Sequence, residues 1–242
     1  MLTIRSVIFN VCFYIFIVVA MITTLPFALV LPRKYGWQVV RFWGIGSLWL
    51  ARVICNMKVE FRGEENIPDG GFLIASKHQS TWETFALVPQ FSDPTFILKQ
   101  ELMWLPLFGW YAAKMRMIPV NRRKGQKAVP AMLEKAAIAI EEKRQILIFP
   151  EGTRRPVRAV PSYRYGIVRL YKELNAPVLP IALNSGVFWP RRSFKRYPGT
   201  VIVEYLPPIE PGLEPDVFFK KLQEVTEDAT ERLLLEAADS NQ

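Results

Sequence analysis

The segment FLIASKHQSTWETFALV, residues 72–88, carries an apolar run, a polar turn and a second largely apolar stretch in that order. The run FLIAS (72–76) does not alternate between polar and apolar residues, which is typical of a strand buried on both faces of a sheet. The polar residues after it indicate a turn, and STWETFALV (80–88) has the pattern of a helix. The segment therefore predicts a strand, a turn and a helix, as in α/β proteins.

Short apolar runs of the same kind recur along the chain. They are MKVEF (57–61), TFILK (95–99), MRMIPV (115–120), ILIF (146–149), PVLPIAL (177–183) and TVIVEY (200–205). Helical patterns lie between them, most clearly over 130–144 and 215–236. We predict an α/β fold with a mixed, mostly parallel central sheet flanked by helices.

Composition narrows the class of protein. Half of the 242 residues are apolar, which is enough to build a sizeable core. Two cysteines and one histidine supply neither a disulfide framework nor the usual ligands of a zinc site, so we expect no metal. The net charge is +9, and residues 1–59 hold six Lys or Arg and no acid. Basic charge beside apolar sequence favours anionic lipid or an acidic partner over nucleic acid.

The N-terminal region has the composition of a membrane element. Residues 7–31 form 25 uncharged residues, which is long enough to cross a bilayer. Residues 36–56 are also apolar and contain three tryptophans, which favour the headgroup region. We predict a membrane-associated helical segment over 1–56 and one globular domain over 57–242. Spanning, re-entrant and half-buried forms stay open, as does packing of the second segment on its own domain.

His78 is the only histidine of the chain and falls on the predicted turn. Glu83 follows five residues later, a spacing that would place the two side chains on different faces of a regular helix. They can meet only if His78 precedes the helix. The alternative is that Ser80 and Glu83 form an S-x-x-E capping box, in which the glutamate accepts a backbone N–H. This segment alone supports both interpretations.

A second polar cluster follows the run ILIF, in the sequence FPEGTRRP (149–156). Gly152 permits a tight turn, and Arg154 offers a planar fork of donors that suits phosphate. Glutamate, threonine and arginine together on one strand-end turn indicate a functional loop.

These segments resemble the glycerolipid acyltransferases of the 1-acylglycerol-3-phosphate O-acyltransferase type. The four motifs of the family are matched in order by HQSTWE (78–83), MIPVNR (117–122), FPEGTR (149–154) and VLPIAL (178–183). The resemblance covers roughly residues 57–206. Glu83 replaces the aspartate of the family, and Arg155 stands where the family often has serine.

The resemblance implies an enzyme of the cell membrane, with its catalytic domain on the cytoplasmic side. It would transfer a fatty acyl group from an acyl thioester to the sn-2 hydroxyl of 1-acylglycerol-3-phosphate, giving phosphatidic acid. No cofactor is expected, and the donor is acyl-CoA or acyl-acyl carrier protein. The expected partners are the lysophospholipid, the thioester and the bilayer, with an acidic acyl carrier protein as a further candidate.

The same resemblance assigns roles to individual residues. His78 is the general base, and Glu83 holds its ring in one tautomer. The residues implied in substrate binding are Lys99, Arg122, Glu151, Gly152, Thr153 and Arg154. The alternative is a solvated basic loop that includes Arg122, and Arg122 is the one cation of that loop assigned to the substrate. The other cations of the loop are Arg123, Lys124 and Lys127.

The sequence leaves three other functions open. One is a hydrolase that uses Ser76 or Ser80, although the chain has no G-x-S-x-G motif. Another is acyl transfer to a different lysolipid, such as a lyso-aminolipid. The third is a non-catalytic membrane lipid-binding protein.

The apolar segment MWLPLFGWY (103–111) suits an acyl-chain groove, a bilayer contact or core packing.

Overall fold

The computed structural model describes residues 1–239 and contains a seven-stranded sheet with helices on both faces. The strands are β1 (Met57–Arg62), β2 (Phe72–Ser76), β3 (Pro94–Lys99), β4 (Ile118–Val120), β5 (Gln145–Ile148), β6 (Val178–Leu183) and β7 (Gly199–Tyr205). Their order is β1-β7-β6-β2-β5-β3-β4. Strands β2 to β6 are mutually parallel, whereas β7 is antiparallel to β6 and pairs in parallel with β1. The predicted mixed, mostly parallel sheet is confirmed.

Eight α-helices lie in the described part of the chain. They are α1 (Leu2–Val30), α2 (Arg33–Cys55), α3 (Glu83–Ala86), α4 (Phe108–Lys114), α5 (Val129–Glu141), α6 (Gly166–Leu174), α7 (Ser185–Phe188) and α8 (Pro215–Asp239). The predicted helices at 130–144 and 215–236 correspond to α5 and α8. The former ends early because Lys143 adopts a φ of 58° before the chain enters β5.

The central strands are buried on both faces, which explains their continuous apolar sequences. Every residue of β2, β5 and β6 is buried. In β2, Phe72 and Ile74 pack into one core, whereas Leu73 and Ala75 pack into the other on the opposite face. The α1–α2 pair lies with the first core, and α5, α6 and the start of α8 lie with the second. The fold is therefore three layers deep, with the sheet in the middle.

Two elements are shorter than the sequence predicts. The helix expected over 80–88 is reduced to α3, and a 3₁₀ turn at Val88–Gln90 follows it. The strand expected over 115–120 is reduced to β4, because Met115 closes the preceding helix and Arg116 adopts a φ of 51°. In both places a local turn, which apolar periodicity does not reveal, replaces regular structure.

Helices α1 and α2 form an antiparallel pair, here called the N-terminal hairpin. Phe16 of α1 lies against Phe42 of α2, with ring centroids 5.9 Å apart. Residues 1–239 contain one helix long and apolar enough to cross a membrane, and it is α1. Its inner side packs on the domain, where Phe9 and Phe13 meet Trp189. The hairpin is thus integrated with the rest of the fold along one side.

Candidate active site

The carboxyl ends of the five parallel strands meet at one edge of the sheet and bring the predicted site residues together. Strand β2 leads into His78, β3 ends at Lys99, and β4 leads to Arg122. Strand β5 leads to residues 149–155, here called the FPEGTRR turn, and β6 leads to Ser185. This edge is where ligands bind in open parallel sheets. The distant motifs of the sequence therefore converge because of strand direction.

His78 lies on the non-helical turn after β2, as the sequence predicts, and its side chain reaches Glu83. The Nδ1 atom of His78 is 2.9 Å from Oε1 of Glu83. The histidine side chain is 14% exposed, whereas the glutamate side chain is fully buried. A carboxylate accepts hydrogen bonds, so it favours the tautomer with hydrogen on Nδ1 and a lone pair on Nε2.

The glutamate also performs the capping role that the sequence offered as an alternative. Oε1 of Glu83 accepts the backbone N–H groups of Gln79 at 2.8 Å and of Ser80 at 2.7 Å. Oε2 accepts the hydroxyl of Ser185 at 2.8 Å. The two interpretations are therefore compatible, because one carboxylate fixes both the turn and the imidazole. The extra methylene of glutamate, compared with aspartate, still leaves the carboxylate within hydrogen-bonding distance of the ring.

The FPEGTRR turn holds His78 at three points. The ring of Phe149 stacks on the imidazole, with centroids 3.9 Å apart. Oε2 of Glu151 accepts the backbone N–H of His78 at 2.9 Å, and the N–H of Arg155 donates to the His78 carbonyl at 2.8 Å. Both the backbone and the ring of the histidine are thus positioned by the second polar loop.

Glu151 occupies a different environment from the one that sequence resemblance suggested. The resemblance implies that it lines the substrate, but the residue is only 2% exposed. Its two oxygens accept Lys77 Nζ at 2.7 Å and the His78 N–H at 2.9 Å. Burial raises the pKa of Glu151 above its ordinary value, and the Lys77 ammonium opposes this effect. In this structure, the Glu151 carboxylate is buried and bonds to Lys77 and to the backbone of the His78 turn.

The rest of the turn is open. Gly152 has a φ of 67°, in the left-handed region that favours glycine, and Thr153 is exposed. Arg154 Nη1 lies 2.5 Å from the hydroxyl of Thr81, between His78 and Glu83 in sequence. The motif therefore places a guanidinium next to the turn that carries His78.

The other two predicted cations lie around Glu101. Arg122 donates to the carbonyl of Gly152, which joins the second motif to the third. Burial lowers the pKa of Arg122 from its ordinary value, and the charge of Glu101 opposes this effect. Lys99 Nζ is 3.3 Å from Glu101 and is about half exposed. The structure thus groups Lys99 and Arg122 on the FPEGTRR side of the sheet edge.

The two serines of the hydrolase interpretation form hydrogen bonds with nearby backbone groups. The Ser80 hydroxyl accepts the N–H of Trp82 at 3.1 Å, and the Ser76 hydroxyl donates to the Lys77 carbonyl at 3.0 Å. Both residues are buried. Neither is arranged as a nucleophile activated by His78.

Several residues that contact His78, Glu83 or Glu151 were not indicated by the sequence. Lys77 and Phe149 lie in the segments considered, but no spacing rule indicates their contacts with Glu151 and the imidazole. Ser185 lies two residues after the fourth motif, and it reaches Glu83 because β2 and β6 are neighbouring parallel strands. A single sequence does not give this strand order.

Comparison with known proteins identifies the family of this chain. The acyltransferase family model matches residues 58–184. A 1-acyl-sn-glycerol-3-phosphate acyltransferase of Pseudomonas aeruginosa is 39% identical over 72% of this chain and 68% of its own. A protein of the same name from Limnanthes alba is 26% identical over 82% of this chain and 73% of its own.

The fold also matches a solved structure. The 1-acyl-sn-glycerophosphate (LPA) acyltransferase PlsC of Thermotoga maritima superposes with a TM-score of 0.78 at 23% identity. The match covers 96% of this chain and 99% of that one. Together with the sequence matches, this shows that the chain belongs to the acyltransferase family.

Proposed function

We propose that this protein is a membrane-bound 1-acylglycerol-3-phosphate O-acyltransferase that forms phosphatidic acid from an acyl thioester. The observation that carries the proposal is the pairing of His78 with Glu83 beside the FPEGTRR turn. The names of the relatives from Pseudomonas aeruginosa and Limnanthes alba support the same reaction.

In the proposed mechanism, Nε2 of His78 removes the proton of the acceptor hydroxyl as its oxygen attacks the thioester carbonyl carbon. Glu83 stabilises the imidazolium that forms. The tetrahedral intermediate collapses when the C–S bond breaks, and the thiolate takes the proton back from the imidazolium. The products are the diacyl lipid and a free thiol, so the histidine returns to its starting state.

The acceptor phosphate requires cations that stay charged near neutral pH. Arg154 and Arg122 supply planar donor forks, and Lys99 supplies a third positive charge. No ion pair joins either guanidinium to a carboxylate within residues 1–239. We therefore assign both arginines to phosphate binding, with Gly152 and Thr153 on the turn beside them. Lys99, which pairs with Glu101 at 3.3 Å and is about half exposed, is the third residue assigned to the phosphate.

The N-terminal hairpin supplies the proposed attachment to the bilayer. Large apolar side chains of its outer side are about half exposed, including Val11, Ile15, Ile22 and Ile45. The inner side is tied to the domain near both ends of α1, through Asn10 with Phe194 and through the Leu29 carbonyl with Lys114. A helix attached along its length suits the half-buried form.

The cytoplasmic face of the cell membrane is the proposed location. The basic surplus of residues 1–59 suits the anionic cytoplasmic leaflet. The Trp104 and Trp110 side chains, exposed at 71% and 54%, extend the apolar surface beyond the hairpin. They favour bilayer contact for one side of the 103–111 segment, while Tyr111 on the other side packs into the core.

A substitution test separates bilayer attachment from folding. Replacing Ile15 and Ile22 by serine should reduce co-sedimentation with anionic vesicles and leave turnover in detergent micelles close to normal. Full vesicle binding by this double variant would contradict the assignment of the outer side of α1. Deleting residues 1–56 is a poorer test, because it would also remove Phe9 and Phe13 from the core.

An acceptor panel tests the substrate. Purified protein in detergent should acylate 1-acylglycerol-3-phosphate in preference to lysophospholipids without a terminal phosphate and to lyso-aminolipids. Acyl-CoA and acyl-acyl carrier protein are supplied in parallel, so that the donor is identified in the same experiment. Preference for a lyso-aminolipid would replace the proposed acceptor, and no transfer to any acceptor would favour a non-catalytic lipid-binding protein.

A further inference from the structure

A buried charged cluster lies beneath the catalytic turn. The Lys77 side chain is 5% exposed, and its Nζ is 2.7 Å from Oε1 of Glu151 and 2.7 Å from Oε1 of Glu227. Glu227 belongs to α8, far from the four motifs in sequence. The Tyr163 hydroxyl donates to the same oxygen of Glu227 at 2.9 Å. Burial and the neighbouring Glu227 raise the pKa of Tyr163, so its phenol keeps the proton that it donates.

The cluster connects directly to the histidine. Glu151 uses one oxygen for Lys77 and the other for the backbone N–H of His78. A continuous series of hydrogen bonds therefore runs from Glu227 through Lys77 and Glu151 to His78. Neither Lys77 nor Glu227 is part of the four motifs, and Glu227 lies outside the family match at 58–184.

The charges of the cluster explain why Lys77 is required there. Two carboxylates share one ammonium group, and most of the cluster is removed from water. Without the ammonium, a buried carboxylate would lose its compensating charge and would favour protonation or movement. Either change would weaken the acceptance of the His78 N–H by Glu151. The lysine thus keeps the supporting carboxylate in place.

We propose that Lys77 and Glu227 are positioning residues for acyl transfer, which hold the His78 turn through Glu151 and make its geometry depend on α8. The inference rests on the proposed function of His78 as the base. Neither residue is assigned contact with substrate. Misplacement of a catalytic group by about 1 Å can lower a rate about 100-fold, which sets the upper range of the expected effect.

Kinetics provide the first test. Lys77→Met and Glu227→Gln should each lower kcat by about 10- to 100-fold, with KM for donor and acceptor changed by less than about 3-fold. Lys77→Arg keeps the charge and should recover part of the loss. If the residues act as one unit, Lys77→Met/Glu227→Gln should be little worse than Lys77→Met alone.

The matched control is Glu231→Gln. Glu231 lies one turn further along α8 and pairs with Arg158 at 3.1 Å, but both side chains are at least half exposed. Loss of this exposed pair should leave kcat within about 2-fold of normal. Equal losses for Glu227→Gln and Glu231→Gln would overturn the proposal, because α8 would then act through general stability.

The single histidine supplies a readout that does not depend on turnover. In protein labelled with ¹⁵N-histidine, one imidazole reports its tautomer directly, and we expect the Nδ1–H form in the unmodified protein. Lys77→Met and Glu227→Gln should shift this signal, whereas Glu231→Gln should not. The proposal would be wrong if both variants kept the histidine signal and kcat unchanged and only their melting temperature fell. The cluster would then contribute to stability alone.

The two readouts separate failure of this inference from failure of the proposed function. If the unmodified protein acylates no lysolipid, the function fails, and the histidine signal still tests the coupling to His78. If transfer occurs but neither variant changes the signal or kcat, the inference alone fails. Should Lys77→Met not fold, Glu227→Gln provides the same decision.

Discussion

The turn that carries His78 is largely buried and hydrogen-bonded along its backbone, whereas the three cations proposed to bind phosphate are half-buried or exposed. Each oxygen of Glu83 accepts at least one hydrogen bond, and the backbone of His78 is bonded at both its N–H and its carbonyl. By contrast, Arg154 donates a side-chain hydrogen bond to the Thr81 hydroxyl, and Lys99 is about half exposed. In the proposed mechanism, the His78–Glu83 pair is therefore positioned before substrate binds, and the cations keep donors for a charged ligand.

The largest effect should come from His78→Ala. Removal of a positioned general base typically lowers the rate by about 100- to 10,000-fold. We expect kcat to fall within this range, with the melting temperature nearly unchanged because the ring is a small part of the core. Near-normal turnover by the folded variant would show that His78 is not the general base.

Glu83→Gln separates the orienting role from the capping role. The amide oxygen can still accept the N–H groups of Gln79 and Ser80, since glutamine also serves in a capping box. It cannot stabilise an imidazolium as a carboxylate does, so kcat should fall by about 100-fold with little loss of stability. If the glutamate is a cap alone, steady-state rates of the variant and the unmodified protein will agree.

Arg154→Ala tests the proposed contact with the acceptor phosphate. Hydrogen bonds to charged groups contribute roughly 1.5 to 3 kcal/mol, which predicts a loss of about 10- to 150-fold in kcat/KM for the phosphorylated acceptor. The loss should be smaller for an acceptor without the phosphate, and Arg154→Lys should be intermediate because it keeps the charge without the fork. Equal losses on both acceptors would assign Arg154 to support of the turn through Thr81.

The smallest effect is expected for Arg123→Ala, which serves as the control for charge alone. Its side chain is 88% exposed and lies 3.9 Å from Glu101. Because exposed ion pairs contribute little, kcat/KM should change by less than about 3-fold. A loss as large as that of Arg154→Ala would show that general positive charge attracts the acceptor, and the specific fork would no longer be needed to explain binding.

Sequence patterns were sufficient for the sheet and for the residues at its edge. Continuous apolar runs are a direct consequence of burial on both faces, as in β2, β5 and β6. Parallel strands then place the following residues at a common edge, which brings His78 and Arg154 together. The antiparallel direction of β7 was not predictable, because it depends on how the chain crosses the sheet.

The supporting contacts required the structure. Glu151 is polar and follows a strand, which the sequence associates with substrate, yet it is buried against Lys77. The Lys77–Glu227 pair joins residues separated by most of the domain, and local periodicity carries no information on such pairs. The helix α3 is also shorter than expected, because a 3₁₀ turn that contains Pro89 follows it. The roles of the site residues stay predictions until the variants are measured.

Direct transfer of the acyl group to the lysolipid hydroxyl requires no acyl-enzyme intermediate, and rapid-quench labelling distinguishes the two routes. The protein is mixed with a radiolabelled acyl thioester, first without and then with 1-acylglycerol-3-phosphate, and the protein and lipid fractions are counted after denaturation. We predict no label on the protein in either case, with labelled phosphatidic acid formed only when the acceptor is present and lost in His78→Ala. A labelled acyl-protein that forms without acceptor and then passes its label to the lipid would show a covalent intermediate and rule out direct transfer.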